Sequence, residues 1–127
     1  MFQDSDALGV DLGVFDRTIA VNLRGHLLAT RAVLPHLLAA GAGAIVYTGS
    51  GASDSGEAER PSYAMSKGWL GALMRHVASR WGREGITGNV VAPGFTMTEE
   101  LKASGQVPQP FIERMLETAR SPRLGES

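Results

Sequence analysis

Two short apolar runs, set far apart by a helical stretch, constrain this chain more than any other feature. Ala44-Ile45-Val46-Tyr47-Thr48 is apolar and β-branched, and Thr87 to Ala92 repeats that character; both read as buried strands. Residues 49 to 86 lie between them, far more than a hairpin uses. A connection of that length, with a helix in it, joins parallel strands in an α/β sheet. In such sheets ligands bind just beyond the carboxyl ends of the strands. Those ends are Gly49-Ser50 and Pro93-Gly94, and both open polar loops.

The stretches around the strands have helical periodicity. Gln3 to Gly13 is polar and reads as a loop. A long helix is predicted from about Val14 to Ala40, because Phe15, Ile19, Leu23 and Leu27 recur every four residues and Val33, Leu34, Leu37 and Leu38 prolong the stripe. Arg17, Arg24 and Arg31 share a solvated face. Pro35 is expected to kink this helix, and Gly41-Ala42-Gly43 to end it. Gly49 to Pro61 is a Gly-, Ser- and acid-rich loop. A second helix is expected from about Tyr63 to Trp81, with Ser62 as its N-cap behind Pro61. A short helix, Gln109 to Arg120, precedes a polar tail.

Composition narrows the function classes. A chain of 127 residues fits one domain. The net charge of −1 gives no reason to expect nucleic acid or an acidic membrane surface as partner. The absence of cysteine excludes disulfides, thiolate metal sites and a cysteine nucleophile. The N-terminus has no basic region followed by an apolar core, so no secretory signal is read there. No apolar run approaches the roughly 20 residues that span a bilayer. The expectation is a cytoplasmic protein without a metal.

Three positions could carry chemistry. Tyr63 and Lys67 are one helical turn apart, so they project from one face. An ammonium near a phenol favours the phenolate, and a phenol so tuned can give or take a proton. The same spacing also suits a tyrosine at a helix start beside a surface lysine. Ser50 follows a strand, and its hydroxyl could hold a carbonyl or alcohol oxygen beside Tyr63, or could simply cap its own loop. Asn22 sits mid-helix beside the apolar stripe. It could hold an ordered water or open a backbone carbonyl at a local irregularity, or be an ordinary half-exposed asparagine.

These residues, in order, resemble the short-chain dehydrogenase/reductase family. The resemblance rests on Val21-Asn22-Leu23-Arg24-Gly25, on Gly43-Ala44-Ile45-Val46 leading to Ser50, on Tyr63-x-x-x-Lys67, and on Asn89-Val90-Val91-Ala92-Pro93-Gly94. The spacings look like that family's Asn-Ser-Tyr-Lys tetrad, and one of only two lysines falls at the required place. The resemblance implies a partial Rossmann-like, doubly wound parallel sheet, helix–strand–helix–strand plus a short lid helix. It implies Tyr63 as general acid in reduction and general base in oxidation, with Lys67 favouring its ionised form and bonding the nicotinamide ribose. Ser50 would orient the reacting oxygen, and Asn22 would anchor a water in a proton relay toward Lys67. Pro93, Gly94, Thr96 and Thr98 would form the loop over the nicotinamide, although a Pro-Gly turn with two surface threonines reads equally from the residues alone. Residues 98–120 would be a substrate lid.

The chain departs from the family pattern ahead of Asn22. No G-x-x-x-G-x-G or G-x-G-x-x-G stands there, so the phosphate loop of the family has no counterpart in these residues. The expectation is one incomplete dinucleotide-binding domain over 1–127, and weak binding of NAD or NADP by it alone. The resemblance implies a small or medium alcohol or carbonyl substrate, and the loop from Gly51 to Pro61, with Asp54, Glu57, Glu59 and Arg60 and no aromatic, argues against a flat hydrophobic ligand. Three readings stand. The first is an oxidoreductase fragment, inactive by itself. The second is a catalytically dead module that forms a homo-oligomer through its two long helices, with Ala64, Gly68, Gly71, Ala72 and Val77 along the contact. The third is an unrelated binding domain.

Overall fold

A computed structural model describes residues 4–105, 107–119 and 121–126. The expected element bounds at Gln3 and Arg120 lie outside those residues. The chain divides into two compact units, Met1–Ala92 and Pro93–Ser127.

In the first unit the long helix is three segments. Helix α1, Leu12–Ile19, starts two residues earlier than expected, because the Asp11 carboxylate accepts the Val14 N–H at 3.0 Å and caps it. A π-helical segment, Ala20–Arg24, follows, and then α2, Gly25–Ala40. The irregularity therefore falls at Asn22. Helix α2 continues through Pro35, which does not end it. Pro35 and Arg31 are both exposed, and a carbonyl deprived of its helical donor on an exposed side is solvated at little cost.

Strand β1, Gly43–Thr48, pairs in parallel with β2, Ile86–Val91, from Gly43 opposite Ile86 to Thr48 opposite Val91. Helix α3, Pro61–Trp81, is the crossover. Its N-cap is Arg60, with Pro61 in the first turn where no N–H is needed. Ser62 is thus inside the helix and fully buried, rather than the cap. Leu34, Val77 and Ile86 form the core, with Leu37, Leu38, Ile45 and Trp81 packed against them. Leu70, Val77 and Ile86 are at most 1% exposed, which stabilises the unit by about 1.5–3 kcal/mol for each side chain. Val77 therefore belongs to this core and not to an uncovered helix stripe. The alternate residues of the strands, Val46 and Val91 among them, face outward and are exposed.

The return into β2 depends on Gly85. Its φ is +82°, and a Cβ there would lie 2.5 Å from the Gly41 carbonyl oxygen. Only glycine combines the left-handed backbone with that approach.

The second unit holds β3, Thr96–Met97, paired in parallel with β4, Gly125–Glu126. Between them lie α4, Glu99–Ser104, and α5, Gln109–Thr118. Helix α4 is additional to the elements read from the sequence; Thr98 caps it by accepting the Leu101 N–H at 3.2 Å. Phe95 and Phe111 meet edge to face at 5.2 Å.

Candidate active site

The carboxyl end of β1 is where polar side chains gather. Gly49 is still held to β2 through its N–H, which donates to the Val91 carbonyl at 2.8 Å. A Cβ at Gly49 would lie 2.6 Å from Val90 Cγ1, so a side chain there would crowd β2 where the chain leaves the sheet. Ser50 follows in extended conformation and caps a single 3-10 turn, Gly51–Ser53. Its Oγ accepts the Ala52 N–H at 3.2 Å, and its carbonyl takes the Ser53 hydroxyl at 2.7 Å. The Ser50 hydroxyl keeps its own proton and a lone pair for a further partner.

Tyr63 and Lys67 occupy successive turns at the start of α3, both partly buried. Lys67 Nζ donates to the Thr48 carbonyl at 2.9 Å and stands 5.8 Å from the Tyr63 ring centroid. This bond ties the helix to the last residue of β1, two residues before Ser50. The Arg60 guanidinium lies 5.4 Å from the same ring centroid and pairs with Glu57.

Asn22 joins the site through a buried serine. Its Nδ2 donates to Ser66 Oγ at 3.1 Å, and Ser66, with no exposed surface, donates in turn to the Tyr63 carbonyl at 2.7 Å. The Asn22 carbonyl, in the π segment, takes a hydrogen bond from His26 Nδ1, which places a proton on that nitrogen. Tyr63, Lys67 and Asn22 are thus linked to one another's elements through Ser66 and the end of β1, while the bonds described for Ser50 stay within its own turn. Pro93, Gly94, Thr96 and Thr98 belong to the second unit, where Thr96 Oγ1 donates to the Gly94 carbonyl at 3.3 Å and Thr98 serves as a helix cap.

Several participants carry no mark in the sequence. The Thr48 carbonyl that holds Lys67 is a backbone group, visible only once the strand end is placed. Ser66 could have been suspected, since it lies three residues from Tyr63 and so on its side of the helix. Asp4 and Ser62 could not: the Asp4 carboxylate accepts the Ser62 hydroxyl at 2.9 Å and the Tyr63 N–H at 3.1 Å, across more than fifty residues of chain.

The start of α3, bearing Tyr63 and Lys67 one turn apart, is held at the carboxyl end of a parallel strand, the arrangement of a Rossmann-like α/β sheet. The sequence model of the short chain dehydrogenase family matches residues 3–108, and the chain belongs to that family. It is 43% identical over 101 residues to a probable short-chain type dehydrogenase/reductase of Bradyrhizobium diazoefficiens, covering 80% of this chain and 36% of that protein. It is 36% identical over 125 residues to galactitol 2-dehydrogenase (L-tagatose-forming) of Cereibacter sphaeroides, covering 95% and 48%. Among solved structures, a gluconate 5-dehydrogenase from Burkholderia cenocepacia, in complex with NADP and tartrate, superposes with a TM-score of 0.87 at 25% identity, over 97% of this chain and 48% of that one. The chain spans half or less of the length of these relatives. Among the described residues no helix is long and apolar enough to cross a membrane, and no cluster of potential metal ligands is found.

Proposed function

We propose that this chain is the catalytic portion of an oxidoreductase that interconverts a small alcohol and its carbonyl compound with NAD or NADP. The observation that carries the reading is the Lys67 bond to the Thr48 carbonyl, which sets an ammonium beside the Tyr63 ring at the carboxyl end of β1. In carbonyl reduction Tyr63 gives its phenolic proton to the substrate oxygen, and in alcohol oxidation it takes that proton back. Ser50, next to the strand end, holds the same oxygen through its hydroxyl. Asn22 acts through Ser66, which fixes the backbone of Tyr63.

The donor set suits a nicotinamide cofactor. Lys67 has three N–H groups, of which the Thr48 carbonyl takes one, so two remain for ribose hydroxyls. Pro93, Gly94, Thr96 and Thr98 are proposed to line the nicotinamide end. When bound, the nicotinamide supplies or accepts the hydride. The relatives with NADP in their structures support a cofactor of this kind. Pyrophosphate recognition needs a helix N-terminus behind a glycine-rich turn, and residues 1–127 contain no such motif ahead of Asn22. Residues 1–127 alone are therefore proposed to bind dinucleotide weakly and not to turn over. Calorimetry with NAD(H) and NADP(H), together with hydride transfer followed by absorbance, tests this: tight binding or turnover by residues 1–127 contradicts it.

A second reading is favoured by Met65 and Trp69, which are 45% and 49% exposed on α3, and by Leu27, Leu28 and Val33 on α2. Large apolar side chains left uncovered on adjoining helices suit a contact with another copy of the chain. We propose that the helices make a homo-oligomer, a role compatible with catalysis and available without it.

A further inference from the structure

Helix α3 begins without a cap of its own. Its N-cap residue, Arg60, makes no side-chain bond to the first turn, and Pro61 has no N–H to satisfy. Ala64 N–H reaches the Arg60 carbonyl at 2.9 Å and starts the helical ladder, which leaves the Tyr63 N–H ahead of it without a helical partner. That N–H is the one a capping side chain ordinarily takes. Here the acceptor comes from elsewhere: Asp4 Oδ2 receives it at 3.1 Å, while Asp4 Oδ1 receives the hydroxyl of the fully buried Ser62 at 2.9 Å.

We propose that Asp4 is a positioning residue for Tyr63: it caps the helix from a distant segment and fixes the backbone from which the phenol projects. Two features make the arrangement specific. Both carboxylate oxygens are used, each on a different donor, so the group is oriented and not merely near. One of those donors, Ser62, has no exposed surface, so water cannot replace the carboxylate there. The negative charge also sits at a helix N-terminus, where the backbone dipoles favour it. Ser66 holds the Tyr63 carbonyl and Asp4 holds its N–H, so the residue is gripped at both backbone polar groups by side chains. The cap stands on geometry alone, whereas its purpose rests on Tyr63 being the proton donor.

The test uses residues 1–127 without cofactor, so its outcome is independent of whether the oxidoreductase reading holds. Amide exchange by nuclear magnetic resonance is measured for wild type, Asp4→Ala, Asp4→Asn and Ser62→Ala, with the nuclear Overhauser contact between the Tyr63 ring and the Lys67 side chain. Asp4→Ala is expected to speed exchange at Tyr63 by roughly tenfold, the size of a lost cap, and to weaken the Tyr63–Lys67 contact. Val77, locked in the core, opens only with the whole unit and should speed by no more than the same factor. Asp4→Asn retains one acceptor oxygen and should fall between. Ser62→Ala keeps the Asp4 bond to the Tyr63 N–H and should leave that amide near wild type. If Asp4→Ala does not fold, Asp4→Asn decides. Unchanged exchange at Tyr63 in the Asp4 variants overturns the proposal, as does a rise at Val77 larger than that at Tyr63, which would mark a loss of structure beyond the cap. An unchanged Tyr63–Lys67 contact beside faster exchange overturns the positioning role.

Discussion

Tyr47 and Thr30 form a buried polar pair whose donor and acceptor can be assigned, and this makes its energetics predictable. Tyr47 is 2% exposed and Thr30 5%, and their oxygens are 2.9 Å apart. Thr30 has one hydroxyl proton, which goes to the His26 carbonyl at 2.8 Å. The proton between the pair is therefore that of Tyr47, and Thr30 is the acceptor. Thr30→Val removes the acceptor with little change of shape and strands a buried phenol donor, at about 1–3 kcal/mol. Tyr47→Phe removes the donor and should cost about 0.5–1.5 kcal/mol. The Phe–Val pair leaves nothing buried and unpaired, so the double variant should be less destabilised than the sum of the singles by about 1–2 kcal/mol. Urea unfolding followed by circular dichroism measures all four proteins. Single losses that add within about 0.5 kcal/mol would refute the assignment of the proton and the claim that the pair is coupled. The pair matters to the site because Tyr47 adjoins Thr48, whose carbonyl holds Lys67.

Other consequences are open to measurement. Gly85→Ala should cost about 1–2 kcal/mol for the left-handed backbone alone, and more because the new Cβ meets the Gly41 carbonyl; a variant as stable as wild type in thermal unfolding contradicts the close approach at 2.5 Å. Lys102 has its pKa raised, first by its hydrogen bond to Glu99 and then by the charge of Glu126, against some opposition from desolvation. A raised value means that the pairing is fully present below the ordinary lysine value, while Glu99 and Glu126 are ionised, and is lost as pH climbs through the folded-state value. Glu99→Gln should lower the Lys102 midpoint in a titration followed by magnetic resonance of its Nζ, and an unmoved midpoint removes Glu99 as the cause. Met65→Glu with Trp69→Glu should convert an oligomer to a monomer in sedimentation; a wild-type chain that is a compact monomer at high concentration, without binding a hydrophobic dye, contradicts the proposed contact.

The parallel strands and their helical crossover were readable because β-branched runs of five or six residues, separated by 38 residues, leave few alternatives. The expectation of an irregularity at Asn22 also has a structural counterpart in the π segment, since asparagine competes for backbone bonds inside a helix. Other details depended on tertiary context. Ser62 looks like an N-cap from composition, but Asp4 takes that role and lets Ser62 be buried inside the first turn. Pro35 stands inside a helix that runs on to Ala40, as the periodicity around it predicts, with its own position exposed. Val77 is expected on an outer stripe with Ala64, Gly68, Gly71 and Ala72, and only the position of β2 decides which residues of α3 face the core. The α4 turn rests on Thr98 capping six residues, too few for a periodic signal.

The central claim is that Tyr63 transfers the proton, with Lys67 held for it by the end of β1. The most direct test joins residues 1–127 to the segments of a family relative that this chain does not span. Hydride transfer is then followed by nicotinamide absorbance for wild type and Tyr63→Phe, with calorimetry of cofactor binding on both. Loss of a positioned proton donor is typically worth about 10² to 10⁴ in rate. The account predicts turnover in the joined protein, a fall of that size in Tyr63→Phe, and cofactor affinity nearly unchanged by the substitution. A Tyr63→Phe protein as fast as wild type would contradict it.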